Sequence, residues 1–512
     1  MDKRKTLRVG AIVVGLAALA ARGWWSTQHA GVPVDVASQG PAIVQTAGER
    51  GFTLGRLAFL PCELEQRNSA ATTAAFCAPF QVPENWDRPD GRHIDLKLAL
   101  VRGAEQAAAR DLVVLLAGGP GQAATEVWPR AAAGFAPLLE HHNLLLLDQR
   151  GTGGSHSLAC KEDPPDFDEA ATGVLDLDKV RTQTRACLEE VSKNADPAQY
   201  TTTAAVRDLE AVRQALGAPM FDLVGVSYGT RVAQQYLRQH ADGVRSVVLD
   251  SSVPNELVLG SEFSIDLDAA LKAQFAECTR TPACAKAFGD PYASMYRLRD
   301  ALQAKPPTVS FRHPRSNAQE TKPLGALAFA TVVRMFAYSS ETSALLPLAI
   351  DQALKGDYAP LLGQVDFLTE SLADLSGSGM QLSVVCAEDA DLIKDRPEDA
   401  KLILGDALIS IMRAQCEVWP RGTRPADFHA PIASDKPVLI LSGEFDPVTP
   451  PRYAEQILKG LPNGRLLFAR GQGHSVMARG CLPKLVKTFV QTLDAHTLDA
   501  GCIADFAATP AF

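Results

Sequence analysis

Gly225-Val226-Ser227-Tyr228-Gly229 lies between an apolar run, FDLV, and a stretch with helical spacing, TRVAQQYL. A serine on a tight strand-to-helix turn has a strained backbone, and its neighbours two residues away must be small. Such a turn lifts the hydroxyl above the strand ends. It also aims the next N–H, that of Tyr228, at charge developing on a substrate oxygen. The chemistry is nucleophilic acyl transfer. A serine alone is a weak nucleophile, so it needs a general base that is itself oriented by an acid.

In a fold with this turn the chain order is nucleophile, acid, histidine, which places both partners downstream. Five histidines follow Ser227: His240, His313, His429, His474 and His496. His474 is taken as the base, because GQGHS follows a buried strand and precedes the closing helix. His240 ends the helix after the nucleophile, His429 lies in a proline-rich stretch, and His496 is placed in the last helix. For the acid, the run PVLILS leads into Gly443-Glu444-Phe445-Asp446-Pro447. Asp446, whose loop the proline stiffens, is preferred over Glu444. A second oxyanion donor is expected from Gly118-Gly119-Pro120-Gly121, with the Gly119 N–H preferred and Gly118 the alternative. The sequence contains no G-x-x-x-x-G-K-[S/T] and no G-x-G-x-x-G, so a nucleotide reading of that loop fails. Asp148 and Arg150, at the end of another apolar run, are read as braces around the site.

These residues need a sheet to carry them. Ile94 to Arg102 alternates apolar and polar residues with period two. Asp111–Ala117, Asn143–Asp148, Phe221–Val226, Val244–Asp250, Pro437–Ser442 and Gly464–Ala469 are short apolar runs, as expected of strands covered on both faces. Thr203–Leu216 has Ala205, Leu209, Val212 and Leu216 at helical spacing, with Gly217 to stop it, and Arg231–Gln239 also reads as helix. Strands alternating with helices predict an α/β class protein with a mostly parallel, helix-covered sheet. The interval 255–434 breaks this rhythm and reads as a mostly helical insertion, for example over Asp266–Phe275 and Leu324–Phe336. The expected organisation is 31–254 and 435–512 as the two parts of one catalytic domain, with 255–434 between them.

The chain has 512 residues, 46% hydrophobic and 21% charged, with a formal charge of −9. Those proportions exclude wholesale disorder, and an acidic chain without a basic stripe is not expected to bind nucleic acid. Lys3, Arg4, Lys5 and Arg8 precede an uncharged run from Val9 to Ala21, the layout of a signal peptide over residues 1–30. That run falls short of the roughly 20 residues needed to span a bilayer, so no stable membrane span is expected after cleavage. Export, to a periplasm or beyond the cell, gives the ten cysteines a role. The simplest framework pairs neighbours, Cys62–Cys77, Cys160–Cys187, Cys278–Cys284, Cys386–Cys416 and Cys481–Cys502, with other connectivities left open by the sequence. Each closure contributes about 2–4 kcal/mol. No C-x-x-C and no H-E-x-x-H occurs, so neither a metal site nor a cofactor is expected.

With these pieces in place, the chain resembles the prolyl and tripeptidyl aminopeptidases, a serine-peptidase branch of the α/β-hydrolases. The resemblance rests on AGGPGQ (117–122), LLLDQRGTGGS (145–155), TTTAAVRDLEAVRQALG (201–217), LVGVSYGTRVAQQY (223–236), VVLDSSVP (247–254), LSGEFDPVTP (441–450) and GQGHS (471–475). It implies an α/β-hydrolase fold with a large helical cap, in which residues 435–512 form a tripeptidyl-aminopeptidase-like C-terminal region. It also implies Ser227 as nucleophile, Asp446 as acid, His474 as base, and Gly119 and Tyr228 as the oxyanion hole. In the family, acidic cap residues hold the substrate's free amino group, and by position Glu388 in Cys386-Ala387-Glu388-Asp389 resembles one. Ala117 stands where the family loop usually has histidine, a departure that leaves the backbone donors in place. The expected activity is release of one to three N-terminal residues from peptides. A carboxylesterase using the same triad on small esters is the alternative, and a non-enzymatic binding protein the third reading.

Overall fold

The computed structural model describes residues 44–45, 51–65, 72–104, 112–160, 175–375 and 378–511. The expected leader at 1–30 lies outside them. In chain order the first nine strands are β1 (Val44–Gln45), β2 (Phe52–Leu54), β3 (Leu57–Glu65), β4 (Thr72–Pro83), β5 (His93–Val101), β6 (Leu112–Leu116), β7 (Asn143–Leu147), β8 (Phe221–Val226) and β9 (Val244–Asp250). β10 (Thr308–Arg312) and β11 (Gln319–Pro323) form a separate hairpin, and β12 (Val438–Gly443) and β13 (Gly464–Ala469) complete the main sheet. The sheet order is β1-β2-β3-β4-β5-β7-β6-β8-β9-β12-β13. Every neighbouring pair up to β5–β7 is antiparallel, and every pair from β7 onward is parallel. The strand order reverses around β6, and at such a switch point the C-terminal strand ends open a crevice suited to a ligand.

The apolar strands divide their side chains between two cores, because alternate residues face opposite sides of a sheet. Val114, Leu116, Leu145, Leu223, Leu249 and Ile440 face one side, packed with the helices Thr202–Leu216 and Tyr228–Gln239. Val113, Leu115, Leu146, Val224, Val248 and Leu441 face the other, against the helices Ala124–Phe135 and Leu482–Thr492. Each such side chain, fully buried, stabilises the fold by about 1.5–3 kcal/mol. The helix after Ser227 starts at Tyr228, three residues before the expected Arg231. Gly229 is a poor helix former, and packing on β6 rather than propensity sets that first turn. The last helix ends at Thr492, so His496 lies beyond it and not within it.

The inserted interval holds the β10–β11 hairpin as well as helices, and it packs in two ways. Leu267, Leu298, Phe311, Phe329, Val333 and Leu404 belong to a third core of its own. Met380, Val384, Cys386, Cys416, Trp419 and Ile432 instead join the core beneath the main sheet. All ten cysteines are paired, as Cys62–Cys77, Cys160–Cys187, Cys278–Cys284, Cys386–Cys416 and Cys481–Cys502. No helix among the described residues is long and apolar enough to cross a membrane.

Asp148 and Arg150 brace two different loops and do not pair with each other. Asp148 accepts from the Thr125 N–H and hydroxyl, both at 2.9 Å, and from the Gly154 N–H at 3.1 Å. Arg150, fully buried, donates twice to Asp208 at 2.6 Å and also to the Glu84 and Gln199 carbonyls.

Candidate active site

Ser227 follows β8 at φ 55°, ψ −124°, a left-handed conformation that serine adopts only when its surroundings impose it. The surroundings here are backbone. Ser227 N–H donates to the Asp250 carbonyl at the end of β9 (2.9 Å), and the Thr230 N–H and hydroxyl both donate to the Ser227 carbonyl. Gly229 lets the following helix pass directly over β6: a Cβ there would lie 2.0 Å from the Leu116 carbonyl oxygen. Gly229→Ala is therefore expected to cost about 3 kcal/mol, since neither backbone can yield. Thermal denaturation checks this, and a melting temperature equal to wild type would mean the turn is not held by this contact.

Tyr228 opens the helix, so its N–H is one of the first-turn donors without an intrahelical acceptor. Its side chain points away from the strand-end crevice, and its hydroxyl lies 2.6 Å from the Thr202 hydroxyl. The Gly118–Gly119 loop closes on the turn from β6. A Cβ on Gly118 would lie 3.1 Å from that of Ser227, while Gly119 is exposed.

The expected acid and base lie beyond two neighbouring strand ends. Asp446, three residues beyond β12, is buried, and its Oδ2 lies 2.8 Å from His474 Nδ1. Its Oδ1 accepts from the N–H groups of Val448 (3.0 Å) and Thr449 (2.8 Å), a side-chain turn that fixes the carboxylate. Burial raises the Asp446 carboxyl, but the His474 charge and hydrogen bond, with the two backbone donors, outweigh it and hold it below the usual value. Burial likewise pulls the His474 imidazole down. The Asp446 charge and hydrogen bond, reinforced by Asp250, outweigh that and leave it above an ordinary histidine. Glu444, the alternative acid, does not reach His474; it accepts the Gly471 N–H at 2.8 Å and anchors the start of the histidine loop.

Three contributors were not picked out from the sequence. The Thr449 hydroxyl donates to Asp446 Oδ2 (2.8 Å) and lies 3.2 Å from His474 Nδ1, so it sits across the acid–base pair. The Asp-x-x-Thr spacing was its signal. Asp250 accepts from the Val476 and Met477 N–H groups (2.9 and 3.0 Å), and the Ser251 hydroxyl accepts from the Ser475 N–H. The end of β9 thus holds both the nucleophile turn and the histidine loop, and burial raises the Asp250 carboxyl to about 6. Tyr338, from the insertion, accepts the His474 N–H through its carbonyl (2.8 Å) and sets its ring against the imidazole, centroids 5.1 Å apart. Nothing local in the sequence marks Tyr338.

Glu388 is placed differently from the expectation that it meets substrate. It is fully buried beneath the nucleophile turn, accepting the Thr202 N–H (2.6 Å) and hydroxyl (2.9 Å). Asp389 beside it pairs with the buried Arg231 at 2.9 Å. Burial pushes the Glu388 carboxyl up to about 8. The reason for the difference is that residues 380–388 pack into the main core rather than onto an open cap face.

A strained serine after β8, and a buried carboxylate hydrogen-bonded to an imidazole beyond β12 and β13, lie at the C-terminal edge of a mostly parallel sheet, the arrangement of the α/β-hydrolase class. A family model for the alpha/beta hydrolase fold matches residues 111–479, and the chain belongs to that family. It is 26% identical over 472 residues to the serine protease Hip1 of Mycobacterium tuberculosis (strain ATCC 25618 / H37Rv), covering 84% of this chain and 88% of that one. The tripeptidyl aminopeptidase of Streptomyces coelicolor is 24% identical over 472 residues, covering 83% and 82%. The putative hydrolase YuaR of Escherichia coli K12 is 23% identical over 410 residues, covering 75% and 78%. With this family and these relatives, the chain is an enzyme, a serine hydrolase.

Proposed function

We propose that the chain is an exported serine aminopeptidase that releases one to three residues from the N-terminus of peptides. The observation that carries this reading is the Asp446–His474 hydrogen bond, in a loop that Asp250 ties to the same strand end as the strained Ser227, in a chain whose relatives include a serine protease and a tripeptidyl aminopeptidase. His474 takes the Ser227 proton through Nε2 as the hydroxyl oxygen attacks the scissile carbonyl. The N–H groups of Tyr228 and Gly119 receive the resulting oxyanion. His474 then returns the proton to the leaving amine, the C–N bond breaks, and an acyl-enzyme remains on Ser227. Water, deprotonated by His474, attacks that ester and frees the acid. Residues 255–434 act as the cap that limits how much peptide enters, and the five disulfides suit a protein working outside the cytoplasm.

A carboxylesterase is the second reading. It is favoured by the burial of Glu388, which removes the residue expected to hold a free amino group. A panel of free-amine peptide amides, their N-acetylated forms and short acyl esters separates the two. The aminopeptidase reading expects kcat/KM on the free-amine peptide to exceed that on its acetylated form by about 100-fold. Equal turnover of both forms, or turnover of esters alone, overturns it.

A further inference from the structure

The helix Ala326–Ala337 of the insertion, ALAFATVVRMFA, carries one charged residue, Arg334. Its Nη1 is buried and meets no hydrogen-bond partner. Its guanidinium lies over the Phe263 ring, 4.3 Å from the centroid, a cation–π contact that fixes direction but offers no acceptor. One turn further on, Tyr338 touches His474 with both ring and carbonyl. Residues four apart share a helix face, so Arg334 lies on the face turned toward the catalytic imidazole. The positive charge of Arg334 accordingly opposes protonation of His474.

The carboxylates around this position are engaged elsewhere. Glu341 pairs with Arg479. Glu262 and Asp266 pair with Arg452 and accept from the Tyr453 hydroxyl. Asp446 and Asp250 are held in the site itself. A guanidinium presents a planar fork of donors that matches a carboxylate, and on the half-buried Arg334 the shielded Nη1 lacks one. The acceptor it fits comes with the substrate. His474 delivers its proton to the leaving amine, so the part of the peptide nearest His474 is the leaving part.

We propose that Arg334, stacked on Phe263, is a substrate-binding residue that holds a carboxylate of the leaving part of the peptide. This rests on the aminopeptidase reading. The carboxylate has two sources, the C-terminus of a peptide cut one residue from its end or an acidic side chain just after the scissile bond. Either way, the enzyme favours short or acidic leaving portions.

The test uses four peptides with one N-terminal half and different leaving residues: glycine free acid, glycinamide, aspartic acid α-amide with its side-chain acid free, and asparagine amide in its place. Wild-type kcat/KM is expected to be about tenfold or more higher for at least one carboxylate than for its neutral counterpart. The free-acid and side-chain arms tell the two sources apart. Arg334→Met should erase that preference, lowering kcat/KM about tenfold further on the carboxylate substrates than on their neutral counterparts, and Arg334→Lys should restore part of it. Equal losses on all four substrates would assign Arg334 to structure and overturn the proposal, as would a wild type indifferent to the carboxylate. Should the variants not fold, competitive inhibition of wild type by the leaving fragments decides: glycine-type acids must inhibit more tightly than their amides. If no peptide is cleaved, the aminopeptidase reading fails by itself. Esters of glycolic acid against esters of its amide then pose the same question of Arg334, with the same outcomes.

Discussion

Ser227→Ala is expected to give a folded protein whose kcat falls by about 10⁴- to 10⁶-fold and which no longer takes up a fluorophosphonate probe. Only the hydroxyl is removed. The interactions that hold residue 227 in its left-handed conformation are backbone ones, to Asp250 and from Thr230, and alanine keeps them. The glycines at 225 and 229 that permit the close approach also remain. Residual turnover then reports on what the Tyr228 and Gly119 N–H groups contribute without a nucleophile. The measurement is active-site labelling alongside steady-state kinetics on one purified preparation. Retention of labelling, or a fall in kcat below about tenfold, would place the nucleophile elsewhere.

Asp446→Asn is expected to lower kcat by about 10⁴-fold, for a different reason. The turn survives, because the asparagine carbonyl oxygen can take over the Val448 and Thr449 N–H bonds that Oδ1 accepts. The loss is at His474. An amide facing Nδ1 no longer compensates the positive imidazolium, and it can favour the tautomer that leaves Nε2 unable to accept the serine proton. The pH profile provides an independent reading. In wild type the base must be neutral to act, and its pKa lies above the ordinary histidine value, so the acid limb of kcat/KM should fall above about pH 6.5. Removing the Asp446 charge takes away the largest influence favouring protonation and leaves Asp250 alone against burial and Arg334, so the limb should move to lower pH. A limb that stays in place in the variant would show that Asp446 does not govern His474.

What was legible beforehand was local. The strands read as apolar runs because both faces of a parallel strand are covered, and the observed β8, β9 and β13 match the expected ranges to the residue. The nucleophile turn announced itself because its steric demands fall on residues within two positions of Ser227. His474 is singled out because a loop between a buried strand and a closing helix is a contiguous pattern, and the structure sets its ring against Asp446. The start of the helix at Tyr228 was missed because its first turn is set by contact with β6, more than a hundred residues earlier. His496 was misplaced because the helix stops at Leu493, a non-glycine residue in a left-handed conformation, and no local signal marks that stop.

The sequence by itself therefore determined the class of chemistry: a serine on a strained turn, a downstream acid and a downstream histidine, on strands of the right kind. Tertiary structure alone decided which carboxylate reaches that histidine. Asp446 and Glu444 stand two residues apart in one loop, and only the packing of β12 against β13 turns the first toward Nδ1 and the second toward the Gly471 N–H. It also moved Glu388 from an expected substrate contact to a buried support beneath Tyr228, and brought Tyr338 to the imidazole from more than a hundred residues away. Composition and spacing cannot encode such placements, because each depends on which surfaces meet after distant segments have packed.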